Sequence, residues 1–199
     1  MAPTLDDIRR VLRGREPVCL PTEGRRVSAV LVPLASRGGD LHLVLTKRTE
    51  TVATHRGQVS FPGGVAEPGD ADLRHTALRE AREELGLASE DVEILGRLDD
   101  CHTMTSLYHV APFVGALRRT PRRWRADQRE VAAVIEVPLS HLLDPKNTAT
   151  HERDIGDGTR ISSPAFQFGD HLIWGVTARI LRDFLRLIAE REPDGADRP

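Results

Sequence analysis

At 199 residues the chain is long enough for one well-buried domain and short for two. Twenty-eight basic residues against thirty acidic ones leave a net charge of −2, which excludes a global field that would steer the chain to nucleic acid or membrane; a polyanionic ligand must be captured by local Arg, Lys or metal. Cys19 and Cys101 lack CxxC or zinc-like spacing and fit reduced thiols, and with no basic-then-apolar leader and no apolar run of transmembrane length the expected location is the cytoplasm.

Thr4, with Asp7 three residues on, predicts a capped helix whose apolar face is Leu5, Ile8 and Leu12. Val27 to Leu34 is a continuous apolar run, suited to a buried central strand. The turn Arg37-Gly38-Gly39-Asp40 returns the chain as a second strand, Leu41 to Arg48. Residues 49–56 read as a polar loop, and Gln58 to Phe61 as a short strand entering a glycine turn. A helix is expected over Ala71 to Leu85, with the stripe Leu73, Ala77, Ala81 and Leu85 packed on a sheet and Gly86 as its stop.

Strands follow near Val92–Asp99, Tyr108–Leu117 and Val131–Val137, the last stopped by Pro138 and followed by a helical turn through Leu142. Asp157-Gly158 signals a hairpin turn between residues near 150–155 and 159–168. Ile173 to Ile188 reads as one amphipathic helix with Val176, Ile180, Phe184 and Ile188 on a face, either core or dimer packing. The polar tail from Glu192 is expected to be disordered. This pattern predicts a single α/β (α+β) domain, residues 1–199 with its core at about 25–190: a mixed β-sheet sandwiched between helices.

The chemistry concentrates in Gly63-Gly64-Val65-Ala66-Glu67-Pro68-Gly69-Asp70 and the later Arg79-Glu80-Ala81-Arg82-Glu83-Glu84-Leu85-Gly86-Leu87. At about 100° per residue, Glu80 and Glu84 lie roughly 40° apart and Glu83 roughly 60° from Glu80. Like charges at that spacing repel, and Glu83 and Glu84 also sit at the negative end of the helix dipole, where a purely structural sequence prefers Lys or Arg. A hard divalent cation explains both penalties, and oxygen ligands suit Mg²⁺ or Mn²⁺. Exposed pairing of Arg79 and Arg82 with these glutamates is the competing explanation.

The order of these residues resembles the Nudix box, G-x5-E-x7-R-E-U-x-E-E-x-G-U with U aliphatic. Arg79, Glu80, Ala81, Glu83, Glu84, Gly86 and Leu87 match its second half. The first half departs: counted from Gly64, Asp70 stands for the expected Glu, with one extra residue before Arg79. That variant, with acids at 67 and 70, resembles the coenzyme A pyrophosphatase branch of the Nudix hydrolases. So does the upstream segment, Leu45-Thr46-Lys47-Arg48-Thr49 and then His55-Arg56-Gly57-Gln58-Val59-Ser60-Phe61-Pro62-Gly63-Gly64, against LLTxRS…HxGQVSFPGG, with Thr49 in place of Ser. The likeness covers most of residues 27–187.

The resemblance implies a Nudix fold and a metal-dependent pyrophosphohydrolase acting on a coenzyme A-like small molecule. Glu80 and Glu84 are then principal metal ligands, Glu83 a third ligand or an anchor for metal-bound water, and the Gly64 carbonyl a further oxygen. Arg79 holds a box carboxylate in place. Glu67 and Asp70 fix the loop or bind an outer metal. Arg48, His55, Arg56 and Gln58 meet the substrate. The proton acceptor is Glu83 or a carboxylate outside the box, for which Glu130 is the candidate. The run Arg118-Arg119-Thr120-Pro121-Arg122-Arg123-Trp124-Arg125 reads first as a solvated loop, with RNA or the 3′-phosphate of coenzyme A as its other partners. Two further readings stay open: a Nudix diphosphatase for an oxidised nucleotide, NADH or capped RNA, and a catalytically silent nucleotide-binding module.

Overall fold

The apolar run around residue 30 becomes the central strand of the molecule. A computed structural model describes residues 3–50, 56–103, 107–154 and 160–190. In it β1 (Arg26–Arg37) pairs antiparallel with β2 (Asp40–Arg48), the register Arg37↔Asp40 closing a two-residue turn. Gly38 and Gly39 both have positive φ there, as such tight hairpins require. On its other side β1 runs parallel to β7 (Tyr108–Leu117). β2 also pairs with β3 (Val59–Ser60) and β8 (Val131–Pro138). β4 (Gly63–Val65) joins the start of β1, while β5 (Val92–Arg97) and β6 (Cys101–His102) join β7. The result is the expected mixed sheet, with eight strands among the described residues.

Both faces of this sheet are covered, which is why β1 and β7 read as continuous apolar runs rather than alternating ones. Ala29, Leu31 and Ala35 of β1 pack with Ala77, Ala81 and Leu85 of helix α2 (Leu73–Leu85). Val32 and Leu34 face the opposite layer. There Ile8 and Leu12 of α1 (Leu5–Arg13) meet Ile180, Phe184 and Ile188, which belong to the last helix. The Thr4–Asp7 capping box at the start of α1 forms as its spacing predicts. After Pro138 the short helix α3 (Leu139–Leu143) leads to a separate three-stranded sheet, β9 (Thr148–Asp154), β10 (Arg160–Phe168) and β11 (His171–Ile173).

Three boundaries differ from the sequence reading. The last helix, α4, spans Gly175–Ala189 and does not begin at Ile173. Ile173 pairs with Phe166 to close β11, and Gly175 takes φ +70°, so the chain turns before the helix can start. The strand from Val92 ends at Arg97. Beyond it the carboxylates of Asp99 and Asp100 accept the N–H groups of Val18 and Leu20. α2 begins at Leu73 because Asp72 serves as its N-cap, accepting the His75 N–H at 2.7 Å. The Asp157-Gly158 turn and the tail from Glu192 lie outside the described residues. Cys19 and Cys101 carry free thiols, and no helix among the described residues is long and apolar enough to cross a membrane.

Candidate active site

The acidic edge of α2 faces the glycine turn. β4 lies against β1, with Gly64 opposite Ala29, and the Glu80 carboxylate fills the space where a side chain on Gly64 would stand. A Cβ there would fall 2.5 Å from the Glu80 carboxyl carbon and 2.8 Å from Oε2. Gly63 is excluded from carrying a side chain for another reason: its Cβ would meet the Ala29 carbonyl oxygen and lie 2.7 Å from the Val30 Cα. One glycine makes room for a carboxylate and its neighbour for a backbone.

α2 ends as its sequence predicts. Gly86 adopts φ +69°, and its N–H reaches the Arg82 carbonyl at 2.9 Å. The Glu84 carbonyl accepts a bond at 3.1 Å from the N–H of Asp127, a residue of the β7–β8 loop. The Glu84 side chain is 5% exposed. Its carboxylate accepts the Thr46 hydroxyl at 3.4 Å and faces Arg48 at 3.8 Å. Burial pushes Glu84 from 4.5 to about 8; Arg48 counteracts this, and Glu80 and Glu130 add to it. Glu80 is also raised, chiefly by burial, with Arg79 opposing and Glu83 and Glu130 reinforcing. Glu83 is exposed and takes Arg79 Nη1 at 3.1 Å.

Arg79 is the hub of the helix edge. It donates to both oxygens of Asp70, at 3.0 and 3.2 Å, to Glu80 at 2.9 Å, to Glu83 and to the Val65 carbonyl. Asp70, 4% exposed, also accepts the Thr76 hydroxyl and the Glu67 N–H. These bonds, the Arg79 guanidinium first among them, hold its carboxyl well below the usual range. Of the two roles expected for Asp70, the geometry supports loop fixing: its oxygens are committed to donors within the protein. Glu67 is exposed, with Arg79 at 3.9 Å.

The upstream segment is brought to the same edge by sheet pairing. The Arg48 N–H bonds the Gln58 carbonyl at 2.9 Å, and Arg48 Nη2 lies 3.8 Å from Glu130. Thr49 bonds the Glu130 carbonyl through its N–H and the Arg129 carbonyl through its hydroxyl. Arg48, Glu130 and Glu84 therefore share one rim. Arg56 and Gln58 precede β3, Gln58 directly; His55 lies outside the described residues. Sequence reasoning missed two members of the site. Thr46 is a hydroxyl among apolar β2 neighbours, signalled by that polar exception and by its place in the Leu45–Thr49 motif, though neither gives it a role. Asp127 acts through its backbone, which leaves no signal in sequence.

Among the described residues, no three His, Cys, Asp or Glu side chains already converge on a point suited to an ion. Guanidinium groups stand in that position instead, Arg79 against Glu80 and Glu83 and Arg48 against Glu84. The donor set still fits a hard divalent cation. Glu80 and Glu84 are buried carboxylates whose partners do not fully offset their desolvation, and the Glu80 carboxylate lies directly against Gly64.

Comparison with known proteins decides the family. The NUDIX domain description matches residues 24–155, which contain every part of this site. The chain belongs to the Nudix hydrolase family. It is 39% identical over 163 residues to the human mitochondrial coenzyme A diphosphatase NUDT8, covering 81% of this chain and 69% of that protein. It is 37% identical over 192 residues to an uncharacterized Nudix hydrolase NudL of Citrobacter koseri, covering 94% and 96%. These relatives agree with the coenzyme A pyrophosphatase-like resemblance of the upstream segment. Solved Nudix structures share the fold: a MutT/nudix family protein from Enterococcus faecalis has TM-score 0.56 at 15% identity, covering 94% of this chain and 70% of that one. DR0079 from Deinococcus radiodurans has TM-score 0.52 at 17% identity, covering 79% and 82%.

Proposed function

We propose that this Nudix hydrolase cleaves the pyrophosphate bond of coenzyme A or its acyl derivatives, giving 3′,5′-ADP and 4′-phosphopantetheine or its acyl form, with Mg²⁺ or Mn²⁺. The observation that carries this reading is the joining of two motifs in one rim. The strand that bears Arg48 is bonded to Gln58 on one side, and Arg48 faces Glu84 of the acidic helix on the other. The relative named a coenzyme A diphosphatase supports the substrate class.

Glu80 and Glu84 would hold the ion, with Glu83 and the Gly64 carbonyl as further oxygens. The bound ion supplies Lewis acidity toward phosphate oxygens and lowers the pKa of water. Arg79 keeps Glu80 aimed at the glycine turn and ties the helix to the loop through Asp70 and Val65. Arg48, lying 3.8 Å from each of two carboxylates and not tightly bonded to either, is placed to meet a substrate phosphate. Glu130, exposed beside Arg48, and Glu83 on the helix are the two candidate proton acceptors at water. Arg56 and Gln58, the latter joined to Arg48 through its backbone carbonyl, are proposed as further substrate contacts.

The test is a panel of coenzyme A, acetyl-coenzyme A, NADH, ADP-ribose and 8-oxo-dGTP, each with Mg²⁺ or Mn²⁺. Coenzyme A compounds should be turned over with the highest kcat/KM. Clear preference for a nucleotide lacking pantetheine overturns the substrate, and no turnover of any compound overturns the enzyme in favour of a binding module.

A further inference from the structure

Thr46 carries its hydroxyl where packing alone would prefer none. It is 1% exposed, and the residues before it on β2, Leu43, Val44 and Leu45, are buried and apolar. Its Oγ1 lies 3.4 Å from the Ser60 carbonyl oxygen and 3.4 Å from Glu84 Oε2. Both contacts are long, and one hydroxyl proton serves one acceptor at a time. Burying a hydroxyl costs free energy that such contacts return poorly, so stability by itself favours valine at this position. The hydroxyl calls for another reason.

Its geometry supplies one. β2 is paired on both sides at Thr46, with Ser60 of β3 and with Val134 of β8, so the backbone there is fixed. A β-branched side chain on a fixed strand has little freedom at χ1, and the sheet therefore sets where Oγ1 stands. Glu84 is fixed from the other direction. It lies in the last turn of α2, and the Asp127 N–H holds its carbonyl at 3.1 Å. What remains is the orientation of the carboxylate, and its two oxygens meet different neighbours. Oε2 faces the Thr46 hydroxyl, while Oε1 is turned to Arg48 Nη1 at 3.8 Å, an ion pair too long for a hydrogen bond. An ionised carboxylate is a stronger acceptor than a peptide carbonyl, so the hydroxyl proton belongs on Oε2.

We infer that Thr46 is a positioning residue: its hydroxyl pins Oε2 of Glu84 and thereby presents Oε1 to a divalent cation at the rim shared with Arg48 and Glu130. Thr46 touches neither ion nor substrate in this role. The inference rests on the proposed role of Glu84 as an ion ligand and is independent of the substrate. Hydrogen bonds behind a ligating side chain are worth roughly 10- to 100-fold in metal affinity or activity.

The experiment compares Thr46→Val, Thr46→Ser and Glu84→Gln with wild type. Valine deletes the hydroxyl at similar volume, and serine keeps it. Mn²⁺ affinity is measured by calorimetry without substrate, and thermal melting is measured in chelator. Thr46→Val should bind Mn²⁺ ~10-fold or more weakly while melting at or above the wild-type temperature. At saturating Mn²⁺ its kcat on coenzyme A should fall with KM nearly unchanged, and Thr46→Ser should regain most of the lost affinity. A lower melting temperature with Mn²⁺ affinity intact makes the hydroxyl structural and overturns the inference. A serine variant as weak as the valine variant assigns the loss to packing and also overturns it. If Mn²⁺ affinity is unchanged in Thr46→Val but lost in Glu84→Gln, Thr46 has no such role and Glu84 remains a ligand. If it is unchanged in both, Glu84 leaves the ligand set and the inference falls with it. Weakened Mn²⁺ binding in Thr46→Val, restored by serine in a protein that hydrolyses no coenzyme A compound, keeps the role of Thr46 and removes the substrate reading.

Discussion

The carboxylate of Glu80 stands where Gly64 would carry a methyl group, so glycine at 64 and glutamate at 80 are one structural unit. The neighbouring Gly63 faces backbone and not a side chain, and the two glycines should fail differently when replaced. Gly64→Ala should displace a movable carboxylate, leaving the melting temperature within a few degrees of wild type while turnover falls ~100-fold or more. Gly63→Ala should push β4 off β1 and cost about 2 kcal/mol or more, read as a clear drop in melting temperature. Equal loss of stability in both variants would show that Gly64 serves packing alone.

Removing the buried charge at Glu84 should separate stability from activity. Glu84→Gln should cut turnover at least ~100-fold, because the rim loses a proposed oxygen ligand. In chelator-treated protein the same change should raise stability in a pH-dependent way. Glu84 is raised from 4.5 to about 8 in the fold, so the folded state binds the extra proton, and stability is lost as pH climbs through that window. The variant should match wild type near pH 5 and melt roughly 3 °C or more above it at pH 8.5. Parallel melting curves at all pH values would contradict a buried, unfavourably ionised Glu84.

Metal affinity should carry the same signature. An ion must expel the Glu84 proton below about pH 8, so Mn²⁺ affinity measured by calorimetry or electron paramagnetic resonance should rise with pH up to that value and flatten above it. An affinity that is constant from pH 6 to 9 would remove Glu84 from the ligand set.

Arg79→Lys should lower both stability and activity. Lysine keeps the charge but cannot bond Asp70, Glu80, Glu83 and the Val65 carbonyl together. Asp70 would be left buried with one fewer strong donor, and a loss of about 3 kcal/mol is expected by denaturant titration. Asp70→Asn should lose comparable stability without removing any proposed metal ligand, so Mn²⁺ affinity should survive in that variant. If it does not, Asp70 binds an ion.

The site is legible in sequence where a period or a steric rule governs it, and illegible where tertiary pairing does. The helical spacing of Glu80, Glu83 and Glu84 places them on one edge, and Gly86 announces the end of that helix; both follow from local geometry. The long apolar runs announce β1 and β7 because both their faces are covered. The meeting of Arg48, Glu130 and Glu84 depends on β2 pairing with β8, across more than eighty residues, and no local pattern encodes it. Asp127 contributes only a backbone N–H, which any residue but proline supplies. The start of α4 is misread because Ile173 continues the apolar pattern of the helix while its backbone belongs to a strand.

The parallel pairing of β1 with β7 sets the order in which this enzyme can come into being. The glycine turn leans on β1 through β4, and β1 gains its second neighbour only from a segment roughly eighty residues further along. A nascent chain that has emerged as far as Leu87 already holds the entire Nudix box and yet lacks the strand that frames it. Catalytic competence during synthesis should thus arrive late and abruptly, after residue 117 has cleared the ribosome, and amino-terminal fragments ending before Tyr108 should be inert however complete their motif.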